Sequence, residues 1–168
     1  MAILAAHLND SAICVTNEGR ILYREPGFAL LEDDHLVAGN EAYSNARLKP
    51  RRIQNRFWSE LATAPLGDPR FQHLSTADLV SRQLEDIWKK VAKPGDRLAI
   101  AVPGYMDTDK LGLLLGVAME LDIAVVAMVD AAVAATRRHY LHAVPVHIDL
   151  GLHAATLTRL MQEGQVQV

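Results

Sequence analysis

The sequence has little cysteine, few aromatic residues and almost no net charge. Among its 168 residues Cys14 is the only cysteine, so no disulfide can form within the chain. A disulfide framework is thereby excluded, and we expect a reducing, cytoplasmic setting. The formal charge of −3 gives no overall attraction to nucleic acid or to an acidic membrane. Neither nucleic acid nor a membrane is therefore expected as a partner.

No apolar run in the sequence is both long enough and free enough of charge to span a bilayer. The first residues have no basic patch ahead of an apolar core, so we expect no secretory signal. Hydrophobic residues make up 50% of the chain, which is enough at this length to bury a real core. The length and the composition of the chain predict one domain or slightly more than one.

Apolar runs and turn signals alternate along the chain in two different styles. The first 23 residues hold three short runs separated by polar turns, which predicts an antiparallel meander. Later runs are apolar almost throughout and are spaced by helical segments, which is typical of neighbouring parallel strands. The predicted parallel strands are 97–102, 123–129 and 144–149. The predicted helices are 40–47, 75–91, 109–121 and 130–140, with Ser75 as a capping residue.

The end of the sequence predicts a β-hairpin. Residues 154–160 and 165–168 would pair around Glu163-Gly164, and apolar members such as Leu157 would need a partner surface. Open strand edges are seldom left unpaired. We therefore expect a homodimer formed through residues 144–168, or contact with another protein.

Three carboxylates are candidates for a nucleotide or magnesium site. Asp149 closes an apolar strand and is followed by Gly151, which would let a phosphate approach the backbone. Asp130 and Asp149 could hold magnesium through water, and Asp10 could join them. The alternatives are that Asp130 caps a helix, that Asp149 ends an exposed strand and that Asp10 is solvated.

The order of the elements and four local motifs together resemble a known superfamily. The motifs are Ile100 to Asp107, Val37 to Pro50, Asp130 to Ala135, and Asp149-Leu150-Gly151. On these residues the chain resembles the actin-like ATPases, and most closely the N-terminal lobe of the 70-kDa heat-shock chaperones. The resemblance implies an α/β, ribonuclease H-like mixed sheet with helices on both faces, plus the C-terminal hairpin. It also implies a first lobe at 1–143 and the first strands of a truncated second lobe at 144–168.

The chain departs from that superfamily at both phosphate loops. No glycine lies between Ala5 and Ser11, and Leu152 follows Gly151 where the family has further glycines. The catalytic lysine of the chaperones has no clear counterpart, and Arg56 is the only candidate cation near its place. We therefore expect a degenerate lobe that acts as a protein-interaction or structural module, with no cofactor and no turnover of its own. The alternative is the N-terminal part of an ATP-dependent chaperone-like ATPase, which would bind ATP and magnesium.

A basic cluster adjoins two aromatic residues in the least regular part of the sequence. It comprises Arg47, Lys49, Arg51, Arg52 and Arg56, followed by Phe57 and Trp58. Such a mixture can bind a nucleic-acid backbone and stack its bases, or it can dock a protein. We expect Trp58 to be partly exposed here, whereas Leu84 and Trp88 should belong to the core.

The histidines do not predict a metal site. His139, His142, His147 and His153 lie close in sequence, but no cysteine and no His-Glu-x-x-His pattern supports zinc. No metal is therefore predicted.

Overall fold

A five-stranded mixed sheet forms the centre of the fold. The computed structural model describes residues 1–32, 35–136 and 145–160. The sheet contains β1 (Ile3–His7), β2 (Ile13–Asn17), β3 (Arg20–Glu25), β7 (Arg97–Val102) and β8 (Val125–Asp130), in the order β3-β2-β1-β7-β8. The meander β1-β2-β3 is antiparallel, whereas β1 with β7 and β7 with β8 are parallel. The predicted mixed sheet is confirmed.

A smaller sheet follows the meander. It contains β4 (Ala29–Leu31), β5 (Leu36–Ala38) and β6 (Ile53–Gln54), in the order β5-β4-β6. The short helix α1 (Asn40–Asn45) packs against it, and Phe28, Leu30 and Ala42 are the buried residues of this second cluster. The basic cluster of the sequence thus lies in the part of the chain that builds this sheet.

Two helices cover one face of the main sheet. Helix α2 (Thr76–Val91) begins with the predicted capping box, in which Ser75 and Asp78 exchange hydrogen bonds with each other's backbone N–H. Helix α3 (Thr108–Glu120) begins at Asp107, whose carboxylate accepts a hydrogen bond from the N–H of Lys110. Both helices contact each other. The main core comprises strand and helix residues including Leu4, Leu98, Ile100, Leu79, Leu84, Ile87 and Leu114.

The opposite face of the main sheet is open within the described residues. Ala5 and Ala127 are exposed there, and Ala99 and Ala101 are half-buried. Strand pairing aligns Ala5, Ala99 and Ala127 in one row across β1, β7 and β8. Helices α2 and α3 pack on the other face, and the short helix Ala131–Ala135 contacts β7 and β8.

The strand predicted at 144–149 does not join the parallel sheet. The structure has β9 (Val146–Leu150) paired antiparallel with β10 (Ala155–Arg159) in a separate two-stranded sheet. The hairpin therefore turns at 151–154, and the predicted partner strand 165–168 lies outside the described residues. Helix α4 (Ala131–Ala135) precedes it. The remainder of the helix predicted over 130–140 lies mostly outside the described residues.

The two tryptophans exchange their predicted places. Trp58 is only 1% exposed, and its indole N–H donates to the Oε1 of buried Gln83 at 2.7 Å. Trp88 is half-buried at the edge of the core. The prediction of an exposed Trp58 is therefore wrong, because a contact 25 residues away in sequence draws its ring inward. Leu84 is buried, as predicted.

Candidate functional site

A narrow polar cleft lies where the loop after β1 meets the turn of the β9–β10 hairpin. Its lining consists of Asn9, Asp10, Pro103, Tyr105, Asp149, Gly151, Ala154 and Thr156. The cleft is too narrow to admit a water molecule. Two of the predicted carboxylates and the predicted glycine thus lie together, although Asp10 is far from Asp149 and Gly151 in sequence.

Asp10 is the centre of this cleft. Its side chain is buried, with 2% of the residue exposed, and its Oδ1 accepts a hydrogen bond from the N–H of Leu152 at 2.6 Å. A Cβ on Gly151 would lie 2.5 Å from that same oxygen, so any larger residue there would require the Asp10 carboxylate to move from this position. The alternative of a solvated Asp10 is wrong. Its carboxylate is a tight link between the first loop and the hairpin turn.

Asn9 makes a second link beside it. Its Nδ2 donates to Asp149 Oδ1 at 2.6 Å and to the carbonyl of Leu150 at 3.1 Å. Its Oδ1 accepts from the N–H of Ser11 at 2.9 Å, which holds the amide in this orientation. No local sequence pattern predicted Asn9 as a site residue. The available signal was a run of three polar residues directly after an apolar strand.

Asp130 acts as a helix cap. Its Oδ1 accepts a hydrogen bond from the N–H of Ala132 at 2.7 Å, at the start of α4. Its other oxygen lies near Gly104, where an added Cβ would be 3.4 Å from Oδ2. Asp130 does not line the cleft of Asp10 and Asp149. Within the described ranges, no group of three or more acidic, histidine or cysteine side chains could hold a metal ion.

The electrostatics of the cleft are negative. Two carboxylates line it, and its lining includes no lysine or arginine among the residues that the structure describes. Burial raises the pKa of the Tyr105 hydroxyl, and the negative charges of Asp10 and Asp149 raise that pKa further. A phosphate group entering this cleft would meet carboxylates with no cation beside them.

The basic cluster does not form one surface with Trp58. Lys49 and Arg52 both bind Glu32, with 2.7 Å between Arg52 Nη1 and Glu32 Oε2. Their positive charges hold the pKa of Glu32 below its usual value, the hydrogen bond from Lys49 being the largest cause. Arg56 pairs with Glu60 at 3.3 Å and does not line the cleft. The candidate cation Arg56 is therefore not brought to the cleft of Asp10 and Asp149.

Solved structures share this fold at low sequence identity. MreB5 of Spiroplasma citri bound to ADP matches with a TM-score of 0.68 and 18% identity, over 94% of this chain and 47% of that one. MreB5 of the same organism bound to AMPPNP matches with a TM-score of 0.55 and 15% identity, over 76% of this chain and 38% of that one. A non-polymerising mutant of MamK bound to AMPPNP matches with a TM-score of 0.52 and 18% identity, over 75% and 40%.

These matches establish the fold of an actin-like ATPase lobe. No family model matches the sequence, and no curated protein matches it either. The chain spans less than half the length of the solved structures that it resembles. Within the described residues, no helix is long and apolar enough to cross a membrane.

Proposed function

We propose that the chain is a structural, cytoskeletal-like module of actin-like fold that interacts with proteins and does not hydrolyse ATP by itself. The observation that carries the proposal is the hydrogen bond from the N–H of Leu152 to the carboxylate of Asp10. A phosphate bound at a loop of this kind uses backbone N–H groups as donors. Here one such donor already has an anionic partner that belongs to the chain.

The charge and the shape of the cleft support the same proposal. Asp10 and Asp149 repel a phosphate, and the cleft lining offers no positive side chain within the described residues. Direct hydrogen bonds from Asn9 and to Asp10 close the space between the two loops. Nucleotide entry would require both links to break. We therefore infer a degenerate site that joins two parts of the chain.

Self-association through residues 144–168 is part of the proposal. One face of the β9–β10 hairpin is apolar and exposed, since Val146, Ile148, Leu150 and Leu157 are between 55% and 71% exposed. A second copy of the hairpin would cover these side chains and would pair the open edge of a strand. We also propose a reducing, cytoplasmic setting, because the chain has a single cysteine.

Light scattering across a concentration series tests the association. Leu157→Asp places a charge in the apolar face and should convert a dimer to a monomer. Ile21→Asp is the matched control, because Ile21 is 60% exposed on β3, outside the hairpin. A wild-type protein that is monomeric at every concentration would contradict the association.

A second candidate function is the N-terminal part of an ATP-dependent ATPase. One solved structure of similar fold is bound to ADP, and the chain covers 47% of it. In that case Asp130 and Asp149 would hold magnesium through water, and a second lobe would supply the contacts to adenosine. Nucleic-acid binding is less well supported, because Trp58 is buried and cannot stack on a base.

Calorimetry with magnesium-ATP tests whether the chain binds nucleotide by itself. We expect no saturable heat and no phosphate release from the wild-type chain. Asp10→Ala frees the Leu152 N–H and removes one negative charge, so it should give weak, measurable binding of ATP or pyrophosphate. Asp109→Ala, which removes an exposed carboxylate outside the cleft, is the matched control and should behave as wild type. Micromolar affinity of the wild-type chain, a free energy of about −8 kcal/mol, would refute the proposal.

A further inference from the structure

The basic residues after α1 line an open groove of about 650 Å³ on the smaller sheet. We call this surface the basic groove. It is lined by Glu32, Leu48, Lys49, Pro50, Arg51, Arg52 and Arg70. It belongs to a different part of the fold from the cleft of Asp10, and none of its residues lines that cleft. The groove therefore needs a separate explanation.

The groove already holds one carboxylate of the chain. Lys49 binds one oxygen of Glu32, and Arg52 binds the other at 2.7 Å. The Glu32 side chain is only 14% exposed, so the two cations converge on a sheltered acid rather than on a solvated one. Arg70 grips Asp68 through two nitrogens, at 3.0 and 2.6 Å, and also donates to the carbonyl of Arg51 at 3.3 Å. Three cations of the groove thus already bind carboxylates of the chain itself, which shows that carboxylates are the partners these side chains take.

Unused positive charge lies at the rim. Arg51 lines the groove and is exposed. Arg47 is exposed too and precedes the lining residue Leu48 in sequence, although it does not itself line the groove. Among the described residues, neither guanidinium forms an ion pair with an acidic side chain. Guanidinium groups bind carboxylates through two parallel hydrogen bonds. Leu48 lies between these two arginines in sequence and is 79% exposed. The rim thus combines the exposed Arg51 with one large apolar side chain, and Arg47 adjoins that side chain in sequence.

The chemistry of the rim favours a peptide over a nucleic acid. A single strand is bound by aromatic side chains that stack on bases. Phe57, Trp58 and Phe71 are buried, and among the described residues no aromatic side chain lines the groove. Tyr43 on α1 is exposed, but its ring packs edge-on against Phe28 and does not line the groove. Leu48 instead offers contact to an aliphatic side chain. Carboxylates next to an aliphatic residue are found together in an acidic peptide.

We propose that the basic groove docks an acidic peptide segment of a protein partner. Carboxylates of the segment bind Arg47 and Arg51, and an aliphatic side chain beside them covers Leu48. The proposal specifies the chemical class of the partner for the protein-interaction role proposed above. It does not depend on whether the cleft of Asp10 binds nucleotide.

Fluorescence anisotropy of the full chain tests the proposal. The probe is a labelled synthetic peptide in which aspartates and glutamates alternate with leucines, and its control replaces each acid by the matching amide. We expect saturable binding of the acidic peptide only. Since exposed ion pairs are screened by salt, the affinity should fall steeply between about 0.05 and about 0.5 M NaCl.

Two variants locate the binding. Arg47→Glu combined with Arg51→Glu should weaken the affinity about tenfold, because two attractions become repulsions. The matched control reverses Arg20 and Arg97, which are exposed on the main sheet. Leu48→Ser should weaken the affinity about fivefold at all salt concentrations, because it removes apolar contact. Far-UV circular dichroism should be unchanged in every variant, since the replaced side chains are exposed.

Three results would overturn the proposal. They are no saturable binding of the acidic peptide, equal weakening by the control reversal, and tighter binding of a single-stranded oligonucleotide than of the peptide. None of them bears on the proposed function of the cleft, which is measured with ATP. Failure of one proposal is therefore distinguishable from failure of the other.

Discussion

Replacing Trp58 tests the internal packing of the fold most directly. The indole is 1% exposed and donates to Gln83 Oε1 at 2.7 Å. Gln83 is fully buried, and its Nε2 donates to the carbonyl of Pro26 at 3.0 Å. The ring also lies against Gly27, where a Cβ would be 2.8 Å from Trp58 Cδ1. One side chain thus joins the irregular segment before α2 to that helix and to the end of the meander.

The expected cost of each substitution follows from these contacts. Trp58→Ala removes a large buried ring and should lower the free energy of unfolding by about 3–5 kcal/mol. Trp58→Phe retains most of the apolar volume but leaves Gln83 Oε1 buried without a donor, which costs about 1–3 kcal/mol. Adding Gln83→Leu to Trp58→Phe should recover most of that loss. The carbonyl of Pro26 still accepts from the N–H of Phe28 at 2.9 Å.

Urea denaturation followed by far-UV circular dichroism measures these differences. The matched control is Trp88→Phe, which changes a half-buried ring on the same helix as Gln83 and should cost less than about 1 kcal/mol. The reasoning fails if Trp58→Phe and Trp88→Phe lose equal stability. It also fails if Gln83→Leu lowers the free energy of unfolding of the Trp58→Phe protein by about as much as it lowers that of the wild-type protein.

Three further predictions concern a helix cap, an acid and the hairpin link. Ser75→Ala removes the capping box of α2 and should cost about 1 kcal/mol in urea denaturation, and a Ser59→Ala control should cost less. The hydrogen bond from the Arg70 side chain lowers the pKa of Asp68 from 3.8 to about 2, so its contribution to stability is present above pH 3.8 and is lost as the pH falls through about 2. Asp68→Asn should therefore remove that part of the pH dependence and lower stability at neutral pH, as unfolding measured at several pH values would reveal. Asn9→Ala breaks the link to Asp149 and should speed amide hydrogen exchange in the hairpin more than in the main sheet, and unchanged exchange would contradict the link.

Local patterns predicted the elements that depend on neighbouring residues. The capping box of Ser75 and Asp78 uses residues three apart, and its helix begins and ends where the sequence indicates. The meander is similarly local, because short turns join its strands. The prediction that residues 144–149 join the parallel sheet is wrong for a different reason. Its apolar content indicates a strand, but its alternation of Val146, Ile148 and Leu150 with polar residues is typical of a half-exposed hairpin rather than a buried parallel strand.

The candidate site was predicted only in part. The pattern of Asp149 and Gly151 indicated a loop suited to close approach, and Gly151 does permit the close approach of Asp10. The role of Asn9 depends on a partner 140 residues away, which no local pattern reveals. The prediction of an exposed Trp58 rested on the charged residues that precede it in sequence. The burial of Trp58 depends on its tertiary partner Gln83, and the residues next to Trp58 in sequence do not reveal that partner.

The missing glycines of the first loop and the retained Gly151 have one physical explanation. A glycine-rich first loop would leave room beside the hairpin turn, and the turn would keep its N–H groups for a ligand. With Asp10 in that loop, a carboxylate reaches the N–H of Leu152, and a side chain at Gly151 would collide with it. Gly151 is then required for contact within the chain, even if no phosphate ever binds. Gly151→Ala should accordingly destabilise the hairpin in the wild-type protein and less so in the Asp10→Ala protein, where the nearest oxygen is gone and the carbonyl of Ala154, 3.2 Å from the added Cβ, remains. Equal destabilisation in both backgrounds would show that Gly151 serves some purpose other than the approach of Asp10.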